Sequence, residues 1–225
     1  MIRTKKATNK AMVDTLLDQY GRTYAEEAGI RLVDRPSALY RLLVLSVLLS
    51  ARISSEIAVA AARELFAAGY RTPRAMRQAT WQDRVDALGR GHYRRYDEST
   101  STMLGRGAEL LIDRWGGDLR RLRDEADGDP KRIAQLLTEF PGIGPAGADV
   151  FLREVQVVWP KVAPHLDQRV LEGARRLGLP HTARPLAAMV ESDDELARLS
   201  AAVIRASRTK KTAEVVKDKV KAAAG

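Results

Sequence analysis

Pro141-Gly142-Ile143-Gly144-Pro145 is the stretch whose residue types and spacing point most directly to chemistry. Apolar periodicity flanks it over roughly 132–140 and 145–158. So short a connection must turn one helix sharply onto the next. Gly142 and Gly144 leave room for another backbone, or a phosphate, to come close. Ile143 sits between them as an apolar plug, and Pro145 suits the first helical turn, where its missing N–H leaves no bond unmade. A glycine-flanked turn feeding a helix N-terminus directs free N–H groups and the positive end of the helix dipole outward. That is an anion site, and on nucleic acid the anion is a backbone phosphate.

The run Phe140–Ala148, FPGIGPAGA, resembles the hairpin of the helix-hairpin-helix family, whose motif is apolar, any residue, Gly, apolar, Gly, a three-residue gap, Ala. The similarity continues through Trp159-Pro160 and Val162-Ala163-Pro164-His165-Leu166-Asp167. Upstream, Leu42–Arg52, LLVLSVLLSAR, is similar to an early buried helix of the same family and the loop after it. Over roughly residues 38–180 the chain therefore resembles the HhH-GPD DNA glycosylases of the endonuclease III type. That resemblance implies an all-α, two-lobed fold with a DNA-binding cleft between the lobes. It implies duplex DNA carrying a damaged or mismatched base as the partner.

Cleaving an N-glycosidic bond develops positive charge on the sugar as the base departs, and a fixed carboxylate beside C1′ stabilises it and orients a water. Asp167 matches the family's catalytic Asp. Asp is also a favoured N-cap, and Asp167 directly precedes a helical pattern; the two roles are compatible, because a cap holds the carboxylate still. Bifunctional members of the family add an amine nucleophile two residues after the second hairpin Gly, which forms a Schiff base with C1′. Ala146 stands at that position, between Pro145 and Gly147, and none of the three carries a reactive group. Amine-based strand cleavage is expected to be absent, with water as nucleophile; Lys161, the nearest lysine, lies beyond Trp159-Pro160. The family's endonuclease III branch often carries four late cysteines that hold an iron–sulfur cluster. This chain has no cysteine, so no cluster and no other cofactor or metal is expected.

Taking a base out of the stack leaves a gap to fill. Arg52 matches a gap-filling polar residue of the family, and Arg90-Gly91-His92-Tyr93-Arg94-Arg95-Tyr96 matches the loop that wedges between bases. Its basic and aromatic side chains suit phosphate contact and stacking; an exposed charged loop is the plainer reading. The expected DNA contacts are Gly142, Ile143, Gly144, Ala146 and Gly147 in the hairpin, with Arg52, Arg90, His92, Tyr93 and Arg94. His165, two residues before Asp167, either lines the pocket or packs within its lobe. Glu56 reads as a proton donor near the cleft or as an ordinary first-turn acid.

The composition sets bounds on these readings. The chain has 225 residues, 45% apolar and 30% charged, which is ordinary for a globular protein with one good core or two small lobes. No apolar run is long and charge-free enough to span a bilayer, and Met1–Lys6 does not read as a secretory signal, so a cytoplasmic location, with the nucleoid if bacterial, is expected. The net charge of +9 suggests a polyanionic partner. Residues 1–10 hold four basic and no acidic side chains, and 208–221 hold six and two; taking these from totals of 38 and 29 leaves 28 against 27. The basicity thus belongs to the two ends, where solvated tails explain it as well as DNA binding does.

Helices are expected over 9–28, 38–50, 54–68, 73–79, 81–88, 96–115, 118–125, the two arms of the hairpin, 169–177, 193–206 and 212–223, with no period-2 strand. Residues 38–50 are apolar nearly all round, which predicts a central helix. Thr72 and Thr80 precede helical patterns as caps, and Ser37 is placed to cap the central helix. The family organisation implies a body at 38–152 and a second lobe of 1–37 with 153–225. The function that follows is a monomeric, monofunctional DNA glycosylase of base excision repair. A helix-hairpin-helix DNA-binding protein without catalysis is the alternative, and a helical adaptor unrelated to DNA a third.

Overall fold

The structure, a computed structural model, describes the backbone of residues 2–224 and the side chains of 8–220 and 222. The basic side chains of Arg3, Lys5, Lys6 and Lys221 lie outside the described residues. Among the described residues the fold is all-helical with no strand, and no helix is long and apolar enough to cross a membrane. In chain order the helices are α1 (Ile2–Tyr20), α2 (Tyr24–Glu27), α3 (Pro36–Ser50), α4 (Ser55–Ala67), α5 (Pro73–Gln78), α6 (Trp81–Arg90) and α7 (Asp97–Trp115). They continue as α8 (Leu119–Glu125), α9 (Pro130–Leu137), α10 (Pro145–Val155), α11 (Gln168–Leu177), α12 (Ala183–Ala187), α13 (Asp193–Ala206) and α14 (Lys210–Ala224).

The chain divides into two compact units, Tyr24–Val162 and Met1–Thr23 with Ala163–Gly225. Within Tyr24–Val162, α3 is the central helix its composition predicts: Leu39, Tyr40, Leu42, Leu43, Val44, Leu45, Val47 and Leu48 are all buried. Ser54, Thr72 and Thr80 accept from the first-turn amides of Ile57, Ala75 and Asp83, and the Asp83 carboxylate returns a bond from the Thr80 amide, closing a capping box. Ser37 does not cap α3; Arg35 holds that position without a side-chain bond and Pro36 starts the helix.

The boundaries of this unit differ from the expected 38 and 152. Glu154, buried in α10, accepts from the amides of Tyr24 and Ala25, both at 3.1 Å, and so caps α2 from the far end of the sequence. Trp159 tilts onto Phe151 at 5.7 Å and donates from Nε1 to Asp34 at 3.0 Å. These contacts draw residues 24–37 and 153–162 into the unit.

In the other unit, Met12, Val13 and Leu16 of α1 pack with Val170, Leu177, Val203 and Val216 from α11, α13 and α14. The helix expected over 9–28 stops at Tyr20, because Arg205 donates to the Tyr20 and Arg22 carbonyls and Arg198 to that of Gly21. These side chains satisfy carbonyls that further helical turns would otherwise take up. The short helix α12 has no counterpart among the expected elements.

Candidate nucleic-acid interface

The hairpin is built from α9, capped by Asp129 through the amides of Lys131 and Arg132, and α10, whose N-cap is Gly144. The Ile143 amide closes the turn on the Phe140 carbonyl at 3.0 Å. Gly142 has φ +87°, a conformation that disfavours side chains, and a Cβ there would stand 3.0 Å from Met103 Sδ and 3.1 Å from Val47 Cγ1. Gly144 is exposed and a Cβ there would meet nothing within 4 Å. It brings no side-chain cap to α10, and Ala148 is the first residue whose amide bonds back, to the Gly144 carbonyl. The amides of Ala146 and Gly147 have no acceptor among the described residues. With Pro145 lacking a donor, this helix start carries unmatched N–H groups beside an open glycine, the electrostatics an anion needs.

The hairpin residues divide by what they touch. Gly142, Gly144, Pro145 and Ala146 are exposed, whereas Ile143 is buried as the expected plug. Gly147 is also buried; a Cβ there would lie 2.2 Å from Ser50 Oγ, so this glycine exists to seat α10 against α3. Ala146 is exposed at the second position of α10, where the family's amine would be. Lys161 donates to the Asp127 carbonyl at 3.1 Å and is thereby tied to the turn between α8 and α9.

A cavity of about 310 Å³ opens beside the hairpin, lined chiefly by Val47, Arg52, Tyr93, Tyr96, Met103 and Gly142. The structure thus brings exposed Arg52 and exposed Gly142, far apart in sequence, to one recess. Val47 and Met103 were not singled out from sequence. Val47 lies in the apolar run of α3, and nothing local distinguishes a wall residue from a core residue.

The 90–96 segment departs from the expectation of a free basic and aromatic loop. Arg90 is the last residue of α6, and its Nε pairs with Glu64 at 3.1 Å. Tyr93 is 0% exposed, so it is a core residue that backs the cavity wall rather than a free ring in a loop. The Thr100 hydroxyl donates to the Tyr93 oxygen at 3.4 Å, and burial pushes the phenol pKa up against that bond. Arg90, His92 (φ +62°), Arg94 and Arg95 are all exposed, and the Arg95 guanidinium lies over the Tyr96 ring at 5.2 Å. Exposed Arg95 and half-buried Tyr96 form the cation–aromatic pair of this segment.

In the other unit, Asp167 is 8% exposed and caps α11, its Oδ1 accepting from the amides of Arg169 at 2.8 Å and Val170 at 3.2 Å. The N-cap reading of this residue is therefore realised, and the carboxylate is fixed. Glu56 is exposed in the first turn of α4, and His165 is half-buried ahead of α11.

Among the described residues the chain is all-helical, with a glycine hairpin whose second helix, α10, starts without a side-chain cap. No family model matches the chain, and no curated protein matches it. Among solved structures it is similar to an endonuclease III in a non-covalent complex with DNA, with a TM-score of 0.53 and 19% identity over 88% of this chain and 84% of that chain. It is also aligned with a trapped endonuclease III–DNA covalent intermediate in an estranged-adenine complex, with a TM-score of 0.48 and 22% identity over the same shares. The fold is that of endonuclease III. An iron–sulfur cluster of the kind found in that branch does not fit this chain, which offers no cysteine thiolate.

Proposed function

We propose that this protein is a DNA glycosylase that hydrolyses the N-glycosidic bond of a damaged or mismatched base, acting on duplex DNA as a monomer. The observation that carries the reading is the hairpin: amides at Ala146 and Gly147 with no acceptor among the described residues, at an exposed Gly144, in a chain with the endonuclease III fold. The amides take a backbone phosphate, Arg52 and the exposed Arg94 and Arg95 add charge for the distorted strand, and the adjoining cavity offers space for an extruded base. Asp167 supplies the negative charge against the sugar cation and orients the water. Its capping bonds suit that role, because a carboxylate already held by two amides needs little reorganisation as charge develops. With Ala146 at the amine position there is no Schiff base, and the reaction ends at the abasic site.

The test is release of free base from duplexes carrying uracil, an alkylated purine, thymine glycol or mismatched adenine. Asp167→Asn retains an N-cap of equal quality, so its stability should hold while base release falls by about 10²-fold or more. Undiminished release by Asp167→Asn would remove Asp167 from the chemistry. Borohydride should trap no covalent protein–DNA adduct. A second reading is a DNA-binding protein without catalysis, favoured by the exposed Ala146 where a nucleophile would stand. Salt-dependent duplex binding with no release from any of the four lesions would establish it.

A further inference from the structure

A second recess, of about 270 Å³, lies between α5, α6 and α7 of the unit Tyr24–Val162. It shares no lining residue with the hairpin cavity. Along α7, Ser99 and Met103 border the hairpin cavity, while Thr102, Gly105 and Glu109 border this one from the other flank.

Its floor is an arginine in an uncommon setting. Arg84 is only 7% exposed, yet it makes no ion pair among the described residues. Its Nε donates to the carbonyl and hydroxyl of Ser101, and its Nη1 to the carbonyls of Met76 and Ala79. Nη2 donates to no described group; it rests against Gly105, where a Cβ would stand 2.9 Å away. Carbonyl dipoles hold the guanidinium in place but cannot neutralise it. Burial pulls its pKa down, opposed by Tyr40, Tyr70 and Asp83. Asp83 spends its carboxylate on the Thr80 amide at the start of α6. A buried cation without a counter-ion is costly unless an anion completes the site.

The rim supplies more positive charge and a flat aromatic surface. Arg77 and Arg106 are exposed, and neither makes an ion pair among the described residues. Glu109 is the one acid of the lining. Trp81, 41% exposed, is pinned at its edge by donating from Nε1 to Thr102 Oγ1 at 3.2 Å, which leaves ring surface in solvent. A guanidinium cluster beside a fixed, exposed indole is the chemistry that takes a phosphate and stacks the base attached to it.

We propose that this recess is a nucleotide-phosphate site, with Arg84, Arg77 and Arg106 around the phosphate and Trp81 stacked on the base. The phosphate belongs to a free nucleotide or to the end of a DNA strand; both present the same group to the three arginines. The site is separate from base release and does not depend on it.

Trp115 and Trp159 are each 2% exposed, so ligand-induced quenching of tryptophan fluorescence reports Trp81. Titration with deoxyadenosine 5′-monophosphate should quench it saturably, and deoxyadenosine without the phosphate should not. A 5′-phosphorylated oligonucleotide compared with its 5′-hydroxyl form separates the sources: quenching of Trp81 that the phosphorylated strand gives more tightly than its 5′-hydroxyl form assigns a strand end, and equal quenching by the two strands, with saturable quenching by the mononucleotide, assigns a free nucleotide. Arg106→Ala, at an exposed position, should weaken binding by roughly tenfold, as loss of a charge-assisted bond predicts. Gly105→Ala should weaken it similarly by displacing Nη2, and Glu109→Gln should tighten it several-fold. Trp81→Phe should abolish the optical signal, with calorimetry then reporting weaker binding. Absence of saturable quenching by mononucleotide and by phosphorylated strand overturns the proposal. So does binding that Arg106→Ala and Gly105→Ala leave unchanged, which would make Arg84 a purely structural staple.

Discussion

At the 141–147 bend, a Cβ on Gly144 would meet empty space and the helix start beyond it is left uncapped; at the 89–93 bend, a Cβ on Gly91 would lie 2.4 Å from the Cα of Ala61. Both stretches mix glycine with turn-forming neighbours, and both suggested contact with DNA from sequence. In the first the missing side chain leaves room for a ligand. In the second it leaves room for α4, and the neighbouring Tyr93 is likewise turned into the core. A glycine in a bend announces a close approach without saying whether the approaching partner is another molecule or the same chain.

The contrast is open to direct attack, and the largest effect should come from Tyr93. Replacing this fully buried ring by Ala should cost about 3–5 kcal/mol, as for other core aromatics. Thermal unfolding would show it, and Tyr93→Phe should leave duplex affinity at the wild-type value. A Tyr93→Phe protein that lost duplex affinity would return this residue to the interface. Gly91→Ala comes next. Its new methyl would meet the Ala61 backbone, which has no rotamer to yield, so a loss of about 3 kcal/mol is expected.

Gly147→Ala should be milder, about 1–2 kcal/mol, because its clash is with the Ser50 hydroxyl rather than with backbone. That hydroxyl donates to the Ser46 carbonyl within α3, so turning it aside forfeits one bond. Ser50→Ala should therefore restore most of the loss in the double variant, a coupling that chemical denaturation can measure. Independent, additive effects would mean that α10 is not seated through this contact.

What the sequence disclosed follows the range of the interactions involved. The central α3 was legible because its apolar faces need no knowledge of the partner, and the Thr72 and Thr80 caps act on amides three residues away. The hairpin was legible for the same reason: its geometry is set by a few adjacent residues. The unit boundary was not, because the Glu154 carboxylate that caps α2 lies 130 residues from the Tyr24 amide it binds. Tyr93 was misread because an aromatic residue among arginines looks solvated until α7 supplies the Thr100 hydroxyl and the surrounding core. The counter-ion-free Arg84 is the extreme case, since its partners are carbonyls and carbonyls leave no mark in a sequence.

The smallest change in stability should come with the most telling change in binding, at Gly144. Ser is a preferred N-cap, and φ −96° at this position suits any residue, so Gly144→Ser should stabilise the hairpin by about 0.5 kcal/mol or leave it unchanged. Its hydroxyl would accept from the Ala146 or Gly147 amide, the donors that no described group now uses. A phosphate would then have to displace an internal acceptor, and duplex affinity should fall by roughly fivefold, the worth of about one hydrogen bond. Stability and binding thus move in opposite directions on a single substitution, which loss of packing could not produce. If Gly144→Ser raised the melting temperature and bound duplex as tightly as wild type, the hairpin amides would not be the phosphate contact, and the two bends would differ in packing alone.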